Sequence, residues 1–191
     1  MTRTERQKEA VRKWLKSKGK GSFEMPTGFG KTRSAILAIK ALLKKYTNLR
    51  ILIVVPTLTL KDQWIENLTE NDIIFNFEVQ VINTVVKHNW TCDLLIIDEI
   101  HRVASDLFRL VFDCVVYRLV LGLTATFDRL DGKQTIIAKY CPIVDKVSLY
   151  ECQANGWISE YKEYQVLLDV DNMEEYNDYN REWIEHYEFF G

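Results

Sequence analysis

The chain has 191 residues, a formal net charge of −2, 47% hydrophobic residues and 27% charged residues. That length and mixture suit one globular domain with a core of its own, and they exclude a strongly basic body as the basis of nucleic-acid binding, though not a local basic patch. Cys92, Cys114, Cys141 and Cys152 form neither a Cys-x-x-Cys pair nor a zinc spacing, so they read as reduced thiols. The polar segment from Met1 to Lys8 is unlike a secretory signal, and no apolar run reaches membrane-spanning length. A cytoplasmic location is expected, or a nuclear one in a eukaryote, with no membrane partner.

Residues 4–17 place Ala10, Val11, Trp14 and Leu15 on one face, which predicts an amphipathic helix ended by the glycines at 19 and 21. A short strand from Ser22 to Met25 runs into a glycine-containing turn. A heavily apolar helix then begins near Lys31 and carries Ile36, Ile39 and Leu42. Arg50 to Val55 is β-branched without alternation, the pattern of a strand covered on both faces. A helix from Thr57 to about Glu70 follows, then a strand at Val79–Ile82. A buried strand at Asp93–Ile97 ends in Asp98-Glu99. Val103 to Val116 reads as a helix and Tyr117–Leu123 as a strand. Farther on, strands are predicted at Ile143–Leu149 and Tyr164–Leu168, with a short helix or turn at Tyr150–Gly156 between them. The acidic, aromatic tail from Asp171 to Gly191 has helical spacing. Strands alternating with helices imply an α/β fold, a mostly parallel sheet with helices on both faces and ligands beyond the carboxyl ends of the strands.

The turn is Met25-Pro26-Thr27-Gly28-Phe29-Gly30-Lys31-Thr32. Gly28 and Gly30 let backbone N–H groups approach a phosphate chain, and the following helix adds its unpaired N–H groups and positive end. Lys31 can reach the β- and γ-phosphates, and the Thr32 hydroxyl can ligate Mg²⁺. Met25 stands where the usual pattern has its first glycine. Lys31 is expected to face solvent when no phosphate is bound, so its replacement should cost no core contact. Asp98-Glu99 supplies the second half of such a site. Asp98 can hold Mg²⁺ through water opposite Thr32, and Glu99 can polarise an attacking water.

With these residues in place, Asp98-Glu99-Ile100-His101 resembles the DEAH-type box of superfamily 2 helicases and translocases. Thr124-Ala125-Thr126 is similar to that family's motif III. Phe127-Asp128-Arg129-Leu130-Asp131-Gly132 resembles the extension seen in its repair and restriction translocases, with Phe127 in place of proline. Val54-Val55-Pro56-Thr57 followed by Gln63-Trp64 is similar to motif Ia. Gln7 resembles the glutamine that reads adenine, and Asn155-Gly156-Trp157-Ile158-Ser159 is similar to the link after the first motor domain. The match runs from about residue 4 to residue 168.

The resemblance implies a RecA-like P-loop domain over residues 1–168 and a linker or tail over 169–191, leading toward a second RecA-like domain supplied by a longer chain or another subunit. It implies ATP and Mg²⁺ as cofactors, bound by Gln7 and by residues 26–32. Lys31, Asp98, Glu99 and His101 would be catalytic, with Thr124 and Thr126 coupling the γ-phosphate region to movement. Pro56, Thr57, Thr84 and Arg129, with Arg102 beside them, would lie along a nucleic-acid backbone, DNA being favoured over RNA. Contacts through hydroxyl and main-chain groups need little net charge. Without the second domain's arginine finger, turnover by this chain alone should be low. The alternatives are a nucleic-acid or partner-binding module that hydrolyses nothing, or an RNA helicase domain.

Overall fold

The computed structural model describes residues 1–100, 105–125 and 139–159. Among them, six strands form one wholly parallel sheet, and a two-stranded ribbon lies apart from it. In chain order the elements are α1 (Arg3–Lys16), β1 (Lys20–Glu24), α2 (Lys31–Leu43), β2 (Ile51–Val55), α3 (Leu58–Glu70), β3 (Phe77–Val81) and α4 (Ile82–Val85). They continue with β4 (Trp90–Thr91), β5 (Leu94–Ile97), α5 (Ser105–Cys114), β6 (Val115–Val116), β7 (Leu119–Thr124), β8 (Ile143–Lys146) and α6 (Leu149–Ala154). The strand order is β3-β2-β5-β7-β1-β8. This is the parallel α/β sheet that the alternating pattern implied, and of the RecA-like kind that the resemblance implied.

The central strands β2 and β5 are buried at every residue, which explains their unbroken Ile, Leu and Val composition. Alternate side chains feed two cores. On one face Ile51, Ile53, Leu94 and Ile96 pack with Trp14 of α1, Ile39 of α2 and Trp64 of α3. On the other, Leu52, Val54, Leu95 and Ile97 pack with Val85 of α4 and Val111 of α5. Gly122 permits the second packing, because a Cβ there would come within 2.5 Å of Ser22 Oγ and 2.8 Å of Ile100 Cδ1.

Helix α1 starts in a capping box: Thr2 Oγ1 accepts from Glu5 N–H at 3.2 Å, and the Glu5 carboxylate accepts from Thr2 N–H at 2.6 Å. A largely buried ion cluster then ties α1 across the sheet edge. Arg6 Nη1 donates to Asp145 Oδ2 of β8 at 2.7 Å and Arg6 Nε to Glu151 Oε1 of α6 at 2.9 Å, while Lys13 Nζ lies 2.7 Å from Asp145 Oδ1. The cluster fixes the helix turn that carries Gln7.

Among the boundaries that differ from the sequence reading, three have an evident physical cause. Val115–Val116 leave the helical pattern and pair with Trp90–Thr91, because a β-branched pair beside an open strand gains backbone hydrogen bonds that a last helical turn lacks. Ile82 opens α4 instead of ending β3. Strand β8 stops at Lys146, because Ser148 caps α6 by accepting from Glu151 N–H at 3.0 Å. The strand expected at 164–168 and the tail at 169–191 lie outside the described residues.

Candidate functional site

The strand order sets the turn after β1 beside the carboxyl ends of β7 and β5. Met25 N–H donates to Thr124 O at 2.9 Å, pinning the start of the turn to the end of β7. Phe29 N–H donates to Pro26 O at 3.1 Å and closes the bend. Thr27 and Gly28 are exposed, whereas Phe29 is fully buried. Gly28 and Gly30 take φ of 85° and 99°, the left-handed region that glycine tolerates. Gly30 is the N-cap of α2 and no side chain caps that end, so its first N–H groups remain available to an anion beside Lys31 and Thr32.

Helix α1 braces this turn from outside. Gln7 is buried; its Nε2 donates to Phe29 O at 2.9 Å and, more weakly, to Gly30 O at 3.5 Å. Its Oε1 is buried without a hydrogen-bond partner. Arg3 Nε donates to Phe29 O at 2.7 Å, its Nη2 donates to Gly28 O, and its guanidinium sits 5.7 Å from the centre of the Phe29 ring. The Phe29 ring meets Trp157 at 5.6 Å, so the segment after α6 packs on the same turn.

The acid pair follows β5. Asp98 is 5% exposed. Its N–H donates to Val54 O at 2.9 Å, its Oδ2 accepts from Trp64 Nε1 of α3 at 2.8 Å, and its Oδ1 accepts from Glu99 N–H at 2.9 Å. Burial raises the Asp98 pKa above the ordinary carboxylate range, against the lowering effect of the Trp64 hydrogen bond. Glu99 has φ of 49°, a conformation that costs a non-glycine residue on the order of 1 kcal/mol and that concentrates at functional sites. Glu99 Oε1 lies 3.4 Å from Lys31 Nζ, and the two side chains are 19% and 11% exposed. Lys31 is therefore mostly enclosed and paired, not solvent-facing as its sequence context suggested.

Thr124 is buried at the end of β7. Pro56 and Thr57 follow β2, and Thr84 stands on α4 directly after β3; since Val55 is opposite Val81, they occupy adjacent strand ends. Thr57 is exposed, and its hydroxyl accepts from Leu60 N–H at 3.3 Å to cap α3, leaving its own proton for another acceptor. His101, Arg102, Thr126 and Arg129 lie outside the described residues. Two residues here were not singled out by their chemistry in the sequence: Arg3, which holds the turn, and Trp64, which holds Asp98. A tryptophan facing inward from a polar helix was the available signal, because its buried indole N–H needs an acceptor.

The residues fit a nucleotide with Mg²⁺. A Cβ on Gly30 would fall 2.7 Å from Gln7 Nε2, so the turn packs on α1 too closely for a side chain at that position. The buried Gln7 Oε1 offers an acceptor to an amino group. No cluster of three or more His, Cys, Asp or Glu residues able to hold a metal is present among the described residues. Asp98, a buried carboxylate at the end of β5, has hard oxygens of the kind Mg²⁺ takes. No described helix is long and apolar enough to cross a membrane.

The model of the family described as "Type III restriction enzyme, res subunit" matches residues 1–88 and 79–129. The chain is 33% identical over 188 residues to the DNA 3'-5' translocase XPB2 of Sulfurisphaera tokodaii, with 88% of this chain and 40% of that one covered. It is 29% identical over 179 residues to a putative ATP-dependent RNA helicase of African swine fever virus, covering 81% of this chain and 34% of the relative. It thus spans well under half the length of either. Among solved structures, the Type ISP restriction-modification enzyme LlaGI, in complex with a DNA substrate mimic, superposes with a TM-score of 0.65 at 16% identity, covering 79% of this chain and 20% of that one. With the family model matching well over half of its length, the chain belongs to the Type III restriction enzyme res-subunit family, as an N-terminal RecA-like domain of the superfamily 2 helicases.

Proposed function

We propose that this chain is the ATP-binding N-terminal motor domain of an ATP-dependent DNA translocase or helicase. In this reading it couples ATP hydrolysis to movement on nucleic acid once paired with a second RecA-like domain. The observation that carries the reading is the Lys31–Glu99 contact at 3.4 Å beside the Gly30 cap. Lys31 binds the β- and γ-phosphates and Gly28 to Thr32 cradle them with backbone N–H groups. Glu99, released from Lys31, orients and polarises the attacking water. Gln7 Oε1 accepts from the adenine amino group. Thr32 and Asp98 would hold Mg²⁺, which when bound would shield the charge of the phosphates. His101 and Lys31 complete the catalytic set, and Thr124 and Thr126 link it to the nucleic-acid side.

Pro56, Thr57, Thr84 and Arg129 contact the phosphate backbone of the nucleic acid. DNA is favoured by the likeness to the Sulfurisphaera tokodaii DNA translocase and by the Arg129-to-Gly132 ending; RNA is the alternative raised by the viral relative. The site of action is the cytoplasm, or the nucleus in a eukaryote. Steady-state hydrolysis tests the reading. The 191-residue chain alone should turn over ATP barely above background, since a missing arginine finger costs about 10³–10⁵ in rate. Joined to a second RecA-like domain it should show duplex-DNA-stimulated hydrolysis that Glu99→Gln abolishes. Stimulation by RNA and not DNA would move it to the RNA helicases; no ATP-dependent activity in the joined form would make it a binding module.

A further inference from the structure

Helix α3 runs from the Pro56-Thr57 turn across the sheet, yet only two of its side chains, Trp64 and Leu68, are buried. Leu68 packs in the apolar core. Trp64 does more: it is 1% exposed, and its one polar group, the indole N–H, donates to Asp98 Oδ2 at 2.8 Å. The Asp98 carboxylate accepts from this indole on Oδ2 and from the Glu99 N–H on Oδ1. The Glu99 bond comes from the adjacent residue and travels with Asp98. The Trp64 bond comes from another element, so it is the one that fixes the carboxylate relative to the rest of the domain.

We propose that Trp64 is a positioning residue for the metal: its indole N–H orients Asp98 so that the remaining lone pairs of the carboxylate face the water shell of Mg²⁺. This rests on the nucleotide-site reading given above. Each carboxylate oxygen accepts two hydrogen bonds, so the indole occupies one direction on Oδ2 and dictates where the other points. Groups that orient a ligating carboxylate are worth about 10–100-fold in metal affinity. The same bond gives α3 a mechanical consequence. Leu60, Trp64 and Leu68 seat α3 on the core, so a contact that tilts its Thr57 end would move the indole, and the indole would move the carboxylate. Nucleic acid on the Pro56-Thr57 turn would thereby tighten or loosen the metal site without touching it.

The test is calorimetric binding of ADP with and without Mg²⁺ to wild type and to Trp64→Phe, which keeps an aromatic ring but removes the donor. Wild type should bind ADP more tightly when Mg²⁺ is present. In Trp64→Phe the Mg²⁺-dependent gain should fall about 10–100-fold or disappear, with Mg²⁺-free affinity unchanged. Equal losses with and without Mg²⁺ would show that Trp64 is only a packing residue and overturn the proposal. If wild type binds ADP without any Mg²⁺ gain, the nucleotide site stands and the proposal falls; if wild type binds no nucleotide, both fall. A second measurement stands even if Trp64→Phe does not fold. The indole N–H resonance of Trp64, assigned in the wild-type protein, should shift when Mg²⁺ is added to the ADP-bound domain, and an unmoved resonance would overturn the assignment.

Discussion

Lys31 Nζ and Glu99 Oε1 stand 3.4 Å apart, across the gap between the first turn of α2 and the end of β5. The pair is mostly enclosed, so each charge helps to compensate the other. Lys31→Ala removes one of the groups that balance the Glu99 carboxylate. It should lower stability by about 1–2 kcal/mol, below the ~3–5 kcal/mol of fully buried pairs because some water reaches this one. Adding Glu99→Gln should recover most of that loss. Denaturant unfolding of the single and double variants measures the coupling, and additive effects would show that the contact carries no energy.

Gly30→Ala should be costly for two separable reasons. A φ of 99° strains any L side chain, and the new Cβ would meet Gln7 Nε2 at 2.7 Å. A loss of about 1–3 kcal/mol is expected from strain of this kind. In a Gln7→Ala background the steric part should shrink to the 3.2 Å approach to Arg3 Nη2, and the dihedral part remain. Equilibrium unfolding of both versions reads the two contributions.

The Asp98 carboxyl titrates above its ordinary range chiefly because it is buried. The native state thus holds the proton more tightly than the unfolded chain does, so ionisation penalises folding once pH exceeds the unfolded pKa of about 3.9. Asp98→Asn removes that penalty. The difference in Tm, variant minus wild type, should therefore become more positive as pH rises from about 4 to about 8. A difference that is flat, or falls with pH, contradicts the burial assignment.

Adenine recognition by Gln7 predicts nucleotide preference. Its buried Oε1 suits the amino group of adenine and meets an acceptor oxygen in guanine. ATP should bind at least about 10-fold more tightly than GTP, with Gln7→Ala erasing the gap. Competition binding with both nucleotides checks it, and equal affinities in wild type would remove Gln7 from the site.

Much of this was legible because backbone geometry demands particular residues. Ile51–Val55 and Leu94–Ile97 announced themselves as strands buried on both faces, and the glycines at 28 and 30 marked a turn that only they fit. The boundaries at Ile82 and Val115–Val116 were not legible: β-branched residues satisfy helix and strand patterns alike until a partner such as Trp90–Thr91 is known to lie alongside. Nor was the enclosure of Lys31. The sequence places it after a flexible glycine, and only the strand order, which seats β5 two strands from β1, reveals Glu99 opposite it. The ties from Arg3 to Phe29 and from Trp64 to Asp98 span 26 and 34 residues. Local pattern carries no record of pairings at that separation.

The most direct test of the nucleotide site is calorimetric titration of ATP, with Mg²⁺ present, into the wild-type chain and into Lys31→Met, which retains the volume of the side chain but not its charge. Saturable one-to-one binding by wild type, weakened at least about 100-fold in Lys31→Met while both proteins stay folded, is the predicted result. Absence of binding in wild type, or equal binding by both proteins, would contradict it.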